Sequence, residues 1–235
     1  MARSMNRPLD SEHHARQIDS VSQPMENFLL LAGQWSPVLA GYIVGATPFG
    51  FLAGKMRGID IREHGSGNIG ATNVFRTLGK PTGIAVFILD VLKGLVPVLI
   101  ARLVTDDILV AILTAVATIL GHNYTFWLGF KGGKGIATPA GAMLPVLLVP
   151  LIVAVSAWGI VFRLSRYVSL ASLAAALVIP LTVVVESLVR KDWQLPLIVF
   201  ALLICFSAFW KHRSNIARLK RGEEHKFERK KAPSS

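Results

Sequence analysis

Hydrophobic positions along this chain are grouped into long blocks separated by short polar stretches. Apolar segments lie at about 37–54, 82–104, 108–121, 136–162, 167–189 and 195–210. The first, third and sixth are short for a bilayer span, so helices there must be tilted, interrupted or packed against protein. The pattern predicts an all-α fold, a polytopic bundle of transmembrane helices.

The distribution of basic residues predicts the topology of that bundle. Lys and Arg are concentrated in 55–80, 122–135 and the segment after 210, and basic loops face the cytoplasm. Six simple crossings cannot place all three regions on one side. An extra crossing arises if Pro145 and Pro150 divide the block 136–162 into a hairpin of two short helices. We therefore expect about seven membrane segments, with the N-terminus outside and the C-terminus in the cytoplasm.

A rival topology keeps 136–162 as one long helix and folds the N-terminal extension back as an additional element. That extension, residues 1–35, is polar and lacks an apolar core, so we expect it to be mobile. Residues 36–224 should form the membrane domain, and residues 225–235 a basic, disordered tail.

Composition agrees with a membrane protein. The 235 residues are 52% hydrophobic and 17% charged, with a mean hydropathy of +0.52, which is more apolar sequence than a soluble domain of this length can bury. The net charge of +11 does not indicate nucleic-acid binding, because apolar runs separate the basic segments. Cys205 is the single cysteine, which excludes an intramolecular disulfide and a cysteine metal site, and no metal site is expected.

Three polar segments should face the cytoplasm together. They read GSGNIGATNVFR at 65–76, GHNYTFWLGFKGGKGIATP at 121–139 and KHRSNIARLKRGEE at 211–224, and we call them the first, second and third motifs. Glycine N–H groups and basic side chains suit oxyanions, and the three motifs together offer enough of them for two phosphate groups. The candidate phosphate-binding residues are Gly65, Gly67, Asn68, Gly70, Asn73, Arg76, His122, Lys131, Gly132, Gly133, Lys134, Gly135, Thr138, Arg213 and Arg218.

The first motif is more specific than the second. A helix cap uses one Ser or Asn, whereas this segment offers four polar residues before Arg76. The second motif only superficially resembles a nucleotide-binding loop, because Leu128 stands where that loop needs Gly and Gly135 stands where Ser or Thr binds magnesium. The second motif can therefore be interpreted as a glycine-rich turn in which Lys134 supplies a point charge. A loop that merely turns the chain is an equally good interpretation.

Two pairs of residues three positions apart carry further chemistry. His212 and Asn215 share one helix face, which a purely basic membrane-proximal tail does not explain. Asp90 and Lys93 lie within an apolar block, where a mutual ion pair and a functional role are both open interpretations. His122, at the end of its helix, is either a ligand contact or a capping side chain.

In this order, the three motifs resemble those of the bacterial acyl-phosphate-dependent glycerol-3-phosphate acyltransferases, which are integral membrane enzymes. RYVSLASL from Arg166 adds to a similarity that covers about residues 37–224, although Ile69 stands where the family often has Pro. The resemblance implies transfer of a fatty acyl group from acyl phosphate to the 1-hydroxyl of glycerol 3-phosphate, giving lysophosphatidic acid and inorganic phosphate. It implies the bacterial inner membrane, no cofactor, and functional coupling to an enzyme that produces acyl phosphate.

For such a reaction we expect direct attack of the substrate hydroxyl on the acyl carbonyl, since acyl phosphate is already activated. The candidate catalytic residues are Ser66, which would steady the oxyanion, together with His212 and Asn215. His212, His122 and a phosphate oxygen of the acyl donor remain alternative proton acceptors. A nucleophilic Ser66 is disfavoured because no His or acidic residue lies at a predictable partner position. Alternatives from other classes are a transporter or channel for an organic phosphate and a lipid-binding scaffold.

Overall fold

The computed structural model describes residues 32–227, and all regular secondary structure in that range is helical. The predicted all-α fold is confirmed. The chain divides after Ser36 into two units, and the contacts below lie in the second. The helices are α1 (32–45), α2 (Phe49–Lys55), α3 (Ala71–Leu78), α4 (Lys80–Val104), α5 (Ile108–Asn123), α6 (Ala137–Met143), α7 (Leu148–Ser165), α8 (Val168–Arg190), α9 (Leu195–Lys211) and α10 (Arg213–Arg221), with short 3₁₀ turns at Ile61–Glu63 and Phe126–Leu128.

Several of these helices are long and apolar enough to cross a bilayer. The five candidate spans in the described range are Ala32–Lys55, Lys80–Val104, Ile108–Leu128, Leu148–Ser165 and Val168–Arg190. A sixth arises if α9 and α10, which are bent by 55° relative to each other, count as one span. The predicted polytopic membrane bundle is confirmed, while the count of about seven segments stays a prediction.

The outward surfaces of the spans are apolar. Leu103, Leu164 and Val189 have relative exposures of 76%, 81% and 77%, which suits lipid tails rather than water. Of the N-terminal extension predicted at 1–35, only residues 32–35 are described, as part of α1. The rest of it, and residues 228–235 of the predicted basic tail, lie outside the described residues.

The apolar block at 136–162 is broken into two helices, as the predicted hairpin requires, but only the first of them is short: α6 has 7 residues, whereas α7 has 18 and is itself a candidate span. Helix α6 ends at Met143, α7 begins at Leu148, and Pro145 lies in the break. Pro150 falls in the first turn of α7, where a missing N–H removes no hydrogen bond within the helix. Helix α6 packs along α4, and α7 packs along α8. The rival interpretation, one long helix over this block, is wrong.

Small residues bring α4 and α6 into backbone contact. A Cβ added at Gly94 would lie 2.1 Å from the carbonyl oxygen of Thr138, and one at Gly141 would lie 2.0 Å from that of Val91. Glycine at both positions therefore permits this close approach. Because α6 begins within the second motif, at Ala137, the contact holds the end of that motif against α4.

A small apolar cluster supports the first motif. Ile61, Ile69, Val74 and Val86 are all less than 5% exposed and pack together beside α2. A Cβ added at Gly50 would lie 1.8 Å from the carbonyl oxygen of Ile69. Helix α2 therefore packs directly on the backbone of the loop and fixes its position.

Candidate active site

The three motifs meet around one polar cavity of about 220 Å³. Helix α4, the start of α8, Trp158 of α7 and His225 also contribute to its wall. The predicted residues that line it are Ser66, Asn68, Gly70, Asn73, Arg76, His122, Lys134, Gly135, His212, Asn215 and Arg218.

The side chain of Asn73 holds the backbone of the first motif in place through hydrogen bonds. Its Nδ2 donates to the carbonyl oxygens of Ile61 and His64 at 3.1 and 3.0 Å, and its Oδ1 accepts from the N–H of Ser66 at 2.9 Å. The side chain is only 2% exposed. The amide of Asn73 is therefore engaged in holding the loop that presents Ser66.

The conformation of the first motif depends on its glycines. Gly65 and Gly67 have φ angles of 60° and 69°, a region that other residues rarely adopt. Asn68 Oδ1 accepts from the N–H of Gly70 at 2.9 Å, which completes a tight turn into α3. Gly65 and Gly67 shape this turn and do not line the polar cavity, whereas Asn68 and Gly70 do.

The glycines of the second motif pack on a histidine. The N–H groups of Gly132 and Gly133 donate to the carbonyl oxygens of Asn123 and His122 at 3.2 and 3.0 Å. A Cβ added at Gly133 would lie 2.1 Å from His122 Nε2, so the loop rests on the buried imidazole. The N–H groups of these two glycines are engaged within the protein, and Lys134 and Gly135 are the residues that reach the cavity.

Three other predicted phosphate ligands do not line this cavity. Lys131 is exposed. Thr138 has no exposed surface and packs at the contact between α6 and α4. The guanidinium of Arg213 lies over the ring of Trp210, 5.1 Å from its centroid, and donates to the Trp210 carbonyl at 3.2 Å.

The side-chain amide of Asn215 connects Lys134 to the carboxylate of Glu224. Lys134 Nζ donates to Asn215 Oδ1, while Asn215 Nδ2 donates to Glu224 Oε1 at 2.7 Å. Glu224 also accepts from Ser169 Oγ and Arg218 Nε, both at 2.8 Å. This network fixes the orientation of the third motif relative to the second.

The network sets the protonation of its charged members. Burial, with a further contribution from the charge of Arg218, lowers the pKa of Lys134 to about 8. Burial alone would raise the pKa of Glu224, but the hydrogen bonds from Asn215, Ser169 and Arg218 outweigh it and leave that pKa below its usual value. Glu224 is therefore an anion at neutral pH, and Lys134 is a cation that loses its proton unusually easily.

His212 is held in one tautomer when neutral. Its Nδ1 lies 2.8 Å from the carbonyl oxygen of Ala208, and because a carbonyl only accepts, Nδ1 carries the proton. The lone pair is then on Nε2. His212 lines the polar cavity, so this nitrogen is suited to accept a proton from a bound ligand.

A buried ion pair adjoins the cavity through Asp90. Lys93 Nζ is 2.7 Å from Asp90 Oδ1 and donates to the Thr47 carbonyl at 2.8 Å. His122 Nδ1 is 3.9 Å from the same Asp90 oxygen. Asp90 lines the cavity, whereas Lys93 does not.

An apolar cavity of about 300 Å³ adjoins the polar one. It lies among α6, α7, α8 and α9, and Met143, Leu151 and Ala176 contribute to its wall. The residues that line both cavities are Phe87, Gly135, Ile136, Ala137 and Trp158. The combined space can accept a molecule with an anionic group at one end and a hydrocarbon chain at the other.

Several residues that line the polar cavity had not been predicted as site residues, among them Ser169, Glu224, Phe87 and Trp158. Ser169 and Glu224 belong to segments whose polar pattern was already noted, so a signal for them existed. Phe87 and Trp158 are apolar residues within apolar helices and carried no signal, because bilayer-facing and cavity-facing positions have the same composition.

Comparison with known proteins finds related sequences. A family model described as glycerol-3-phosphate acyltransferase matches residues 35–222. A protein of that name from Desulforamulus reducens is 44% identical over 195 residues, 83% of this chain and 95% of its own length. One from Geotalea daltonii is 46% identical over 193 residues, 82% of this chain and 96% of its own length.

Solved structures show the same fold. The crystal structure of PlsY, an integral membrane glycerol 3-phosphate acyltransferase, in its glycerol 3-phosphate form superposes with a TM-score of 0.78 at 39% identity. Its lysophosphatidic acid form superposes with a TM-score of 0.76 at 38% identity. Each comparison covers 83% of this chain and 96% of the other.

Proposed function

The chain belongs to the glycerol-3-phosphate acyltransferase family, and from this premise we propose that it transfers a fatty acyl group from acyl phosphate to the 1-hydroxyl of glycerol 3-phosphate. The products are lysophosphatidic acid and inorganic phosphate. We further propose that the enzyme lies in the bacterial inner membrane with this site on the cytoplasmic face and the N-terminus outside. It would draw its donor from a coupled enzyme that produces acyl phosphate.

One observation carries the proposal: the polar cavity and the apolar cavity share a wall that contains Gly135 and Trp158. An acyl phosphate has its reactive carbonyl between a phosphate group and a hydrocarbon chain. A donor with its chain in the apolar cavity would present that carbonyl at the shared wall, beside Ser66 and His212 of the polar cavity. This arrangement suits acyl transfer to a water-soluble phosphorylated alcohol.

The charges of the polar cavity suit phosphate groups. Lys134, Arg76 and Arg218 line it, and Arg218 is already paired with Glu224 at 2.8 Å. Lys134 and Arg76 are therefore the cations that we assign to substrate phosphates. Binding energy from these contacts would hold the hydroxyl of glycerol 3-phosphate near the carbonyl carbon.

The proposed reaction proceeds without a covalent enzyme intermediate. The hydroxyl oxygen bonds to the acyl carbon, the bond from that carbon to the phosphate oxygen breaks, and phosphate leaves with the electron pair. Ser66 and Asn68 stabilise the negative charge that develops on the carbonyl oxygen. His212 Nε2 takes the hydroxyl proton. His122 is less suited to this task, because its Nε2 lies under Gly133.

Phosphate release by the purified protein in detergent tests the overall reaction. With acyl phosphate and glycerol 3-phosphate we expect steady release of inorganic phosphate, and with acyl-CoA as donor we expect no release of free CoA, the leaving group of a thioester donor. Lys134→Ala should abolish most of the activity, whereas the matched variant Lys131→Ala, at an exposed lysine outside the cavity, should retain it. Turnover with acyl-CoA alone would overturn the assigned donor, and no turnover with either donor would favour a transporter for an organic phosphate.

The base is tested separately with His212→Ala. Loss of a general base typically lowers the rate by roughly 10²- to 10⁴-fold, so we expect a fall in kcat of that order with little change in KM. His64→Ala is the control, because His64 is exposed and lies outside the polar cavity. Nearly full turnover by a folded His212→Ala protein would assign the proton to a phosphate oxygen of the donor instead.

A further inference from the structure

The chain continues beyond α10 as a segment, residues 222–227, that crosses the rim of the polar cavity. We call it the C-terminal strap. Gly222 has a φ of 73° and ends α10, which turns the chain back towards the other motifs. At its far end the N–H of Phe227 donates to the Arg166 carbonyl at 2.9 Å. The strap therefore joins α10 to the turn between α7 and α8. All of it except Gly222 lies beyond the residues matched by the family model, which end at 222.

The end of the strap is fixed by aromatic packing. The Phe227 ring lies between Phe75 of α3 and Phe162 of α7, with centroid distances of 5.2 and 5.7 Å. Glu223, His225 and Lys226 are exposed, whereas Phe227 is partly buried. A single aromatic residue at the end of a polar segment thus anchors it to two helices that are distant in sequence.

Two contacts connect the strap to Arg76. The guanidinium carbon of Arg76 lies over the Phe227 ring, 5.7 Å from its centroid, and a terminal guanidinium nitrogen donates to the His225 carbonyl at 3.3 Å. Arg76 lines both the polar cavity and a larger surface cleft of about 1290 Å³ that the strap also lines. The strap therefore holds this arginine where the cleft opens into the cavity.

We propose that Phe227 is a positioning residue that pre-orders Arg76 for binding a substrate phosphate group. The inference rests on the function proposed above, in which Arg76 contacts such a phosphate. A free arginine side chain has many rotamers and loses that freedom on binding a ligand, so a strap that orders it beforehand strengthens binding. The ring of Phe227 supplies a cation–π surface that is present before substrate arrives. Phe227 acts on affinity through Arg76 and takes no part in the bond-making step.

The steady-state constants of the full chain in detergent test this role. We expect Phe227→Ala to raise KM for one phosphorylated substrate by roughly three- to thirtyfold, the size expected from losing an aromatic pair and a cation–π contact. The value of kcat should stay within about twofold of wild type, because the residue does not touch the reacting atoms. KM is measured separately for glycerol 3-phosphate and acyl phosphate, and the one that rises identifies the phosphate that Arg76 holds.

Two further variants separate positioning from structural damage. Phe227→Tyr keeps the ring and should restore KM, whereas Lys226→Ala is the matched control in the strap, because the Lys226 ammonium lies over Tyr167 and not at Arg76. In an Arg76→Met background, which leaves no cation to lie over the ring, Phe227→Ala should raise KM less than twofold, since its effect passes through the guanidinium. An equal rise in KM with Arg76 and with Met at this position would overturn the proposal.

A binding measurement keeps the test independent of turnover. Titration of the purified protein with inorganic phosphate should give a Kd that Phe227→Ala weakens and Lys226→Ala leaves unchanged. Wild-type protein that binds phosphate but releases none from acyl phosphate would refute the proposed reaction while leaving the strap supported. An unchanged phosphate Kd together with unchanged KM values in Phe227→Ala would refute the role of the strap even in an active enzyme.

Discussion

Lys134 Nζ donates a hydrogen bond to Asn215 Oδ1, although the two residues are 81 positions apart in the chain. The other end of the Asn215 amide donates to Glu224 at 2.7 Å, so the orientation of the amide is fixed by partners of opposite charge. Lys134 is thereby held at the cavity, and no carboxylate of the described residues contacts its ammonium group directly. This relationship makes the protonation of Lys134 a measurable property of the site.

The rate should depend on pH through Lys134. Burial and the nearby Arg218 lower the pKa of Lys134 to about 8, and the charged form is the one to which the proposed function assigns a substrate phosphate. We therefore expect kcat/KM to fall by about tenfold per pH unit above that value. In Lys134→Arg, whose guanidinium stays protonated, the remaining activity should not fall in this range. An unchanged pH profile in Lys134→Arg would assign the titration to another group.

The same pKa shift affects the stability of the folded protein. Between about 8 and the ordinary value of 10.5, the unfolded chain binds more protons at this lysine than the folded chain does. The contribution of Lys134 to the free energy of unfolding therefore rises with pH across that window. In detergent, the midpoint temperature of thermal unfolding should rise less with pH across this window in Lys134→Gln than in wild type.

Gly133 should not tolerate a side chain. A Cβ at this position would lie 2.1 Å from Nε2 of the buried His122, so either the loop or the imidazole must move. We expect Gly133→Ala to lower the free energy of unfolding by roughly 1–3 kcal/mol and to reduce activity more strongly, because Lys134 follows it directly. Gly159→Ala in α7 is the control, since a Cβ there meets nothing within 4 Å. Equal activity of the two variants would contradict the packing described for the second motif.

Lys93 and Asp90 should stabilise the protein as a pair and not singly. Both side chains are 3% exposed, and removing one member of a buried ion pair typically costs about 3–5 kcal/mol. Lys93→Met should therefore lower the unfolding midpoint strongly in detergent. The double variant Asp90→Leu with Lys93→Met should recover most of that loss. A double variant that is as unstable as the single variant would contradict the stabilising role of the ion pair. If the double variant is stable, its activity shows whether Asp90 is needed only for stability or also for the reaction.

The acyl chain preference should depend on the apolar cavity. Ala176 is 3% exposed and lines it, so Ala176→Leu would remove part of the space available to a hydrocarbon chain. We expect kcat/KM for long-chain acyl phosphates to fall by about tenfold or more relative to short-chain donors, since each methylene in a pocket contributes about 1–3 kcal/mol. Leu177→Phe is the matched control, because the neighbouring Leu177 is 51% exposed. The same chain-length profile in both variants would place the acyl chain elsewhere.

The sequence alone determined the class of the fold and many of the residues that line the polar cavity. Transfer into a bilayer depends on the local apolar character of each segment, so the helices of the membrane domain could be predicted without knowing their neighbours. The break between α6 and α7 followed from Pro145 for the same reason, because proline acts locally. Ser66, Lys134, His212 and Asn215 stood out as polar residues in segments that a bilayer cannot solvate.

Only the tertiary structure decided what each of those residues contacts. The N–H groups of Gly132 and Gly133 donate to backbone carbonyls, Thr138 is buried against α4, and the guanidinium of Arg213 lies over Trp210. Trp158 and the apolar cavity could not be predicted from the sequence, because a helix face towards lipid and a face towards an internal cavity are equally apolar. Contacts such as Lys134 with Asn215, or Phe227 with Phe75, depend on how distant helices pack, and hydrophobicity does not encode that pairing.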